Sequence, residues 1–166
     1  MVGEKKDYSL ETEPVVVERA QELVGKSLRE LYGDAVGRRK GKGAFGQLIE
    51  QLHFGYDPNP SPEVDFPVAG LELKATGAVP TRSGWAAKER LVLSNINYFQ
   101  IASEEDFETS TFYLKNARLL VVVYYWRANC SPIEYRILGV GVIDIEEMDP
   151  TDRAIIQDDW RKIREA

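Results

Sequence analysis

Apolar positions recur at helical spacing through the first third of the chain, give way to extended apolar runs, and return to helical spacing at the end. Pro14-Val-Val-Val-Glu-Arg-Ala-Gln-Glu-Leu-Val24 predicts a helix with Pro14 in its first turn and Gly25 as its stop. Ser27 followed three residues later by Glu30 reads as a capping box, opening a short helix that ends at Gly33. Phe45, Leu48, Ile49 and Leu52 predict a third helix from Ala44 to Phe54, fed by a basic loop from Arg38 to Lys42. Three prolines between Tyr56 and Pro62 make that stretch a loop. Val64 to Val68 and Leu71 to Ala75, separated by Ala69-Gly70, then predict a β-hairpin. Further strands are expected at Arg90 to Asn97, Leu119 to Trp126 and Tyr135 to Ile145. The middle one is apolar on both faces and should be the buried centre of the sheet. A last helix begins at Thr151, and the sequence stops inside it at Ala166, an ending expected of a fragment of a longer protein. The result is one mixed α/β domain over 1–166, with helices flanking a single sheet.

Composition narrows the chemistry. The single cysteine, Cys130, excludes an intrachain disulfide and a zinc site built on several cysteines, and the single histidine, His53, excludes His-rich metal sites. The amino terminus is too polar for a signal peptide, and the run Leu119 to Trp126 is too short to span a bilayer. A soluble, cytoplasmic protein without a membrane partner is expected. A net charge of −6 counts mildly against a nucleic-acid partner. The charge is uneven, however: Arg38, Arg39, Lys40 and Lys42 form a basic run, and Asp144, Glu146, Glu147, Asp149 and Asp152 an acidic one. A local basic surface can hold a phosphate backbone on an acidic protein. From the residues alone, Arg38 to Lys42 reads equally well as a DNA-backbone contact and as a solvated loop.

Asp65, Glu72 and Lys74 are the informative trio. On a strand, Glu72 and Lys74 point to one face, and a tight reversal near Val68 to Gly70 sets Asp65 across from Glu72. Two carboxylates at that separation can share one magnesium ion, which keeps several waters and accepts a phosphate oxygen. The ion lowers the pKa of a bound water, and an adjacent lysine adds compact positive charge. Alternating Glu and Lys is commonly no more than the solvated face of a strand, so the trio alone does not decide.

More residues bear on it. Gly43-Ala-Phe-Gly46-Gln-Leu-Ile-Glu50, then Asp65, then Ala69-Gly70-Leu-Glu72-Leu-Lys74, resembles the MutH-type mismatch-repair nucleases and the related GATC-cleaving type II restriction enzymes. Lys88-Glu-Arg-Leu-Val-Leu93, Ile96-Asn-Tyr98 and Phe107-Glu-Thr-Ser110 look more like the restriction branch. Ser110-Thr-Phe-Tyr-Leu-Lys115 is similar to a family stretch whose lysine lies near the active site, and Asp158 to Trp160 to the start of a family helix. The resemblance implies a restriction-endonuclease-like PD-(D/E)xK fold. In it Asp65 and Glu72 would bind Mg2+, Lys74 would assist the hydrolytic water, and Glu50 would orient water or bind a second ion. Lys115 would contact phosphate or support the site, and Lys42, beside Arg38, Arg39 and Lys40, would hold the DNA backbone. The implied reaction is cleavage of double-stranded DNA at GATC in a restriction system, leaving a 5′-phosphate and a 3′-hydroxyl. A non-catalytic DNA-binding or regulatory module of the same fold is the alternative; a domain of unrelated role fits the linked motifs poorly. Two departures stand out: one extra residue separates Glu50 from Phe54-Gly55, and family members continue past the point where this sequence stops.

Other signals carry less. Gly41-Lys-Gly43-Ala-Phe-Gly46 has the spacing of a dinucleotide loop but lacks the preceding apolar strand. His53 reads as a structural residue, and Trp85, Trp126 and Trp160 as packing residues.

Overall fold

A computed structural model describes residues 6–33, 44–58 and 61–166. Helix α1 spans Glu13–Gln21 with Pro14 in its first turn; it stops at Glu22, short of the expected Val24, and a turn carries the chain on to Gly25 (φ +79°). Helix α2, Leu28–Tyr32, opens on the expected capping box: Ser27 Oγ accepts the Glu30 N–H at 3.2 Å, and Glu30 accepts the Ser27 N–H at 2.7 Å.

Helix α3, Ala44–Leu48, runs without a break into a π-helical segment, Ile49–Phe54. Its signature is the Gly55 N–H donating to Glu50 O at 2.8 Å, a five-residue return. A π turn takes up one more residue than an α turn. It redistributes the apolar face. Phe45, Leu48 and Ile49 are buried as the helical spacing requires, but Leu52 is only partly buried, and His53 and Phe54 turn inward instead.

Four strands form one mixed sheet in the order β2-β1-β3-β4: β1 Glu72–Thr81, β2 Gly84–Ala87, β3 Arg118–Tyr125 and β4 Ile137–Asp144. β1 and β3 run parallel; the other two pairings are antiparallel. The crossover from β1 to β3 contains α4, Tyr98–Ala102, and α5, Thr111–Asn116, and the chain closes with α6, Pro150–Glu165. Leu73 and Ala75 of β1 share a face with Leu120 and Val122 of β3. That face meets Val16, Ala20, Phe45 and Ile49 in the main core. A smaller cluster of Ile101, Phe107 and Trp160 ties α4 to α6.

Three expectations need correction. The hairpin around Gly70 (φ +66°) is reduced on its first side to one bridge, Phe66 to Leu71, because the Leu73 N–H that the next rung would use donates to the Asp65 side chain instead. Its second side instead runs on from Glu72 to Thr81 and turns into β2. Residues 90–97 form no strand: Val92 stays exposed, and Asn97 spends its side chain accepting the Phe99 and Gln100 N–H groups that open α4. Trp160 is a packing residue as expected, but Trp85 is 54% exposed.

Candidate active site

The Phe66–Leu71 bridge sets Asp65 directly opposite Glu72 at the start of β1. The Asp65 N–H donates to Glu72 Oε2 at 3.3 Å, and the Leu73 N–H donates to Asp65 Oδ2 at 2.9 Å, so each carboxylate is held by the other's strand. Glu72 is 4% exposed. Lys74, two residues along the same face, donates to Glu72 Oε1 at 3.0 Å. Lys115 of α5 approaches that oxygen to 3.8 Å while donating to Ser61 O at 2.8 Å and Glu63 O at 3.3 Å. One lysine thus arrives from the strand and the other from the crossover, and the second also pins the loop leading to Asp65.

Glu50 enters from the junction of α3 and the π turn. Its carboxyl is pushed up to about 7, first by burial and then by the negative charges of Asp65 and Glu72, against the pull of Lys74 and Lys115. The Asp65 carboxyl is pushed up to about 6 by burial and by the Glu72 charge, opposed by the Leu73 N–H and Lys115. Two acids whose proton affinity is raised by burial and by neighbouring negative charge suit a site that takes up a cation.

The donor set suits a hard divalent ion. It consists of oxygens, and His53 and Cys130 lie elsewhere. Among the described residues no group of three or more His, Cys, Asp or Glu side chains stands close enough to hold a metal by itself. The fit is therefore to an ion bound through the Asp65–Glu72 pair, with water or a substrate oxygen completing its shell. A groove of about 830 Å³ opens at Glu72, Lys74 and Lys115 and extends past Ile96 and Gln100 to Trp160.

One residue at the site was not read from the sequence. The Tyr56 N–H donates to Glu50 O at 3.2 Å, and its ring meets Phe66 edge-on with centroids 5.5 Å apart. Its hydroxyl is buried without a hydrogen-bond partner among the described residues, and its pKa is raised by burial and by Asp65, Glu50 and Glu72. The only sequence signal was an aromatic residue just after the Gly55 helix stop. Lys115 sits in a helix that apolar periodicity did not reveal, opened by Ser110 Oγ accepting the Tyr113 N–H at 3.1 Å. Arg38, Arg39, Lys40 and Lys42 lie outside the described residues. His53 is structural: Nδ1 accepts from the Tyr32 hydroxyl at 2.7 Å, and Nε2 donates to Arg19 O at 2.6 Å. Burial holds its pKa down near 4.

The profile of the family described as DNA mismatch repair enzyme MutH matches residues 54–159, a span that contains Asp65, Glu72, Lys74 and Lys115. The chain belongs to the MutH family. Its restriction-endonuclease-like fold follows, and with it a class of enzymes that generally use divalent metals. Within the curated relatives, the chain is 36% identical to the type II restriction enzyme Sau3AI of Staphylococcus aureus over 155 residues, 93% of this chain but 31% of that protein. It is 27% identical to the DNA mismatch repair protein MutH of Vibrio campbellii over 162 residues, 93% of this chain and 67% of that protein. The higher identity lies on the restriction side, as the Lys88 to Leu93 and Phe107 to Ser110 stretches implied. Asp158 to Trp160 fall inside α6 and not at its start. Among the described residues no helix is long and apolar enough to cross a membrane.

Proposed function

We propose that this chain is the catalytic domain of a magnesium-dependent endonuclease that cuts double-stranded DNA at GATC sites, acting in a restriction system as part of a longer protein. The observation that carries the proposal is the convergence of Asp65, Glu72, Lys74 and Lys115 at one end of β1, with Glu50 close enough to feel their charges. The GATC preference comes from the resemblance of the motifs to those of GATC-cleaving restriction enzymes.

In this reading Asp65 and Glu72 would hold the ion, and Glu50 would orient a water or support a second ion. When bound, the ion would supply a water of lowered pKa and neutralise charge on the phosphate. Lys74 leaves Glu72 to stabilise the attacking water or the developing negative charge. Lys115, already holding the 61–63 loop, contacts the scissile phosphate from the crossover side. Water oxygen bonds to phosphorus, the bond to the 3′ oxygen breaks, and that oxygen takes a proton, leaving a 5′-phosphate and a 3′-hydroxyl. Arg38, Arg39, Lys40 and Lys42 are assigned to the flanking backbone.

The test is cleavage by the full protein of end-labelled duplexes that differ only at the tetranucleotide, with and without magnesium. Magnesium-dependent cutting confined to the GATC duplex is expected. Cutting of both duplexes alike would remove the sequence preference; cutting of neither would favour the binding-module alternative.

A further inference from the structure

The β1–β2 hairpin carries an aromatic side chain used neither by the core nor by the proposed active site. Trp85 is 54% exposed, and its ring meets Tyr125 edge-on with centroids 5.2 Å apart. The ladder pairs Pro80 with Trp85, and Ala78 with both Ala87 and Tyr125. Directly paired residues share a face, as do alternate residues along a strand. Trp85 and Tyr125 therefore lie on the same face of the sheet as Glu72 and Lys74. At about 3.3 Å per residue, the six steps from Lys74 to Pro80 put the indole roughly 20 Å from the lysine.

The surroundings are cationic. Residues 81–90 are all exposed and carry Arg82, Lys88 and Arg90 against Glu89 alone, in a chain of net charge −6. The exposed Arg127 guanidinium lies 5.8 Å from the Tyr125 ring. Arg82 makes no ion pair among the described residues. Lys88 stacks over Trp126 and pairs with Glu89, and Arg127 also reaches Cys130 Sγ and Glu134 O, both at 3.4 Å. Arg82, without an ion pair, and the exposed Arg127 beside an exposed indole suit a polyanion: arginines neutralise phosphates, and an indole offers an N–H and a flat apolar face to a sugar–phosphate edge.

We infer that Trp85, Tyr125, Arg82 and Arg127 form a second contact for duplex DNA, seating its backbone about six base pairs from the scissile phosphate (roughly 20 Å at about 3.4 Å per pair). The inference rests on the nuclease reading and adds a surface to it. The contact positions the duplex and takes no part in bond breaking.

The experiment uses the full protein with two duplexes sharing one cleavage site, one extending ten base pairs to each side and the other three. Trp85→Ala and Arg82→Ala/Arg127→Ala are compared with the parent by binding titration across salt and by cleavage rate. The positions are exposed, and unchanged thermal midpoints confirm folding. Each variant should bind the long duplex about tenfold more weakly. The double variant should flatten the log–log salt slope by about two units, near 0.9 per phosphate contact. Cleavage of the short duplex at saturating protein should be unchanged. Equal losses on both duplexes, or no loss on the long one, would overturn the inference. A parent that cuts neither duplex would remove the nuclease reading, and the binding titrations would then decide the surface on their own.

Discussion

Glu50 and Asp65 hold their protons far above the ordinary carboxylate range, to about 7 and about 6. A metal needs them deprotonated, so metal-dependent cleavage should rise with pH through this window. Below pH 6 the logarithm of the rate should climb with a slope between one and two, flattening above pH 7. A flat profile from pH 5.5 to 7.5 at saturating DNA and subsaturating metal would count against these acids as ligands. The same shifts act on stability with the opposite sense. A raised folded pKa means that the unfolded chain gives up its proton first as pH rises, so the native state loses stability from about pH 4 upward. In metal-free buffer at pH 8, Glu50→Gln should therefore be more stable than the parent. The gain should be about 1–2 kcal/mol once solvent screening at this half-buried site is allowed for. It should also cut DNA poorly. An unfolding midpoint below the parent's would show that Glu50 makes a native interaction stronger than its desolvation cost. Lys74→Ala should abolish cleavage, with the rate under saturating metal and DNA as the readout.

The π turn is the element that most affects the site. By inserting one residue after Ile49 it keeps Ile49, His53 and Phe54 all buried and leaves Glu50 half-exposed at the site's edge. Burying His53 has a measurable cost on the acid side. Its pKa is depressed to near 4, so between about pH 6.5 and 4 the unfolded chain binds a proton that the folded chain refuses. Stability from this residue is complete above pH 6.5 and falls as pH drops through the window, by up to roughly 3 kcal/mol. Relative to His53→Gln, the parent should lose stability with up to one extra proton of pH dependence there, read from urea midpoints; parallel curves would contradict the assignment. Much of this architecture was legible in the sequence. The capping box at Ser27, the Pro14 start and the two-sided apolar run of β3 announced themselves because local chemistry and tertiary burial agree there. Asp65 opposite Glu72 was legible too, because a two-position alternation and one glycine fix the pairing. The π turn was not legible, since periodicity alone assigns α spacing. Residues 90–97 had strand-like composition, but Val92 stays exposed and Asn97 is taken up in capping α4, which only the assembled fold reveals. α5 carries a local start signal in Ser110 but no apolar periodicity to follow it, and the Tyr56 hydroxyl is buried by long-range contacts that no local pattern encodes.

At the scale of the molecule, one mixed sheet does two things. The Leu73, Ala75, Leu120 and Val122 face builds the main core, and the opposite face carries Glu72 and Lys74 at one end and Trp85 and Tyr125 at the other. Arg118 locks the active end. Its guanidinium takes both Glu13 oxygens at 2.8 Å and Asp144 at 3.0 Å, joining α1, β3 and β4, and reaches the Ala69 carbonyl in the turn that presents Glu72. Acidic charge dominates the chain as a whole, so attraction to DNA must come from local cations, and affinity should fall steeply with salt. In the proposed function Asp65 and Glu72 are a metal pair, with Lys74 beside it and not part of it. Calorimetric titration of magnesium into the metal-free protein at pH 6.5 tests this most directly, comparing the parent with Asp65→Asn and Lys74→Ala. Proton release on binding by the parent is expected, with at least tenfold weaker binding by Asp65→Asn and binding within a few-fold of the parent by Lys74→Ala. Undiminished binding by Asp65→Asn, with the same proton release, would contradict it.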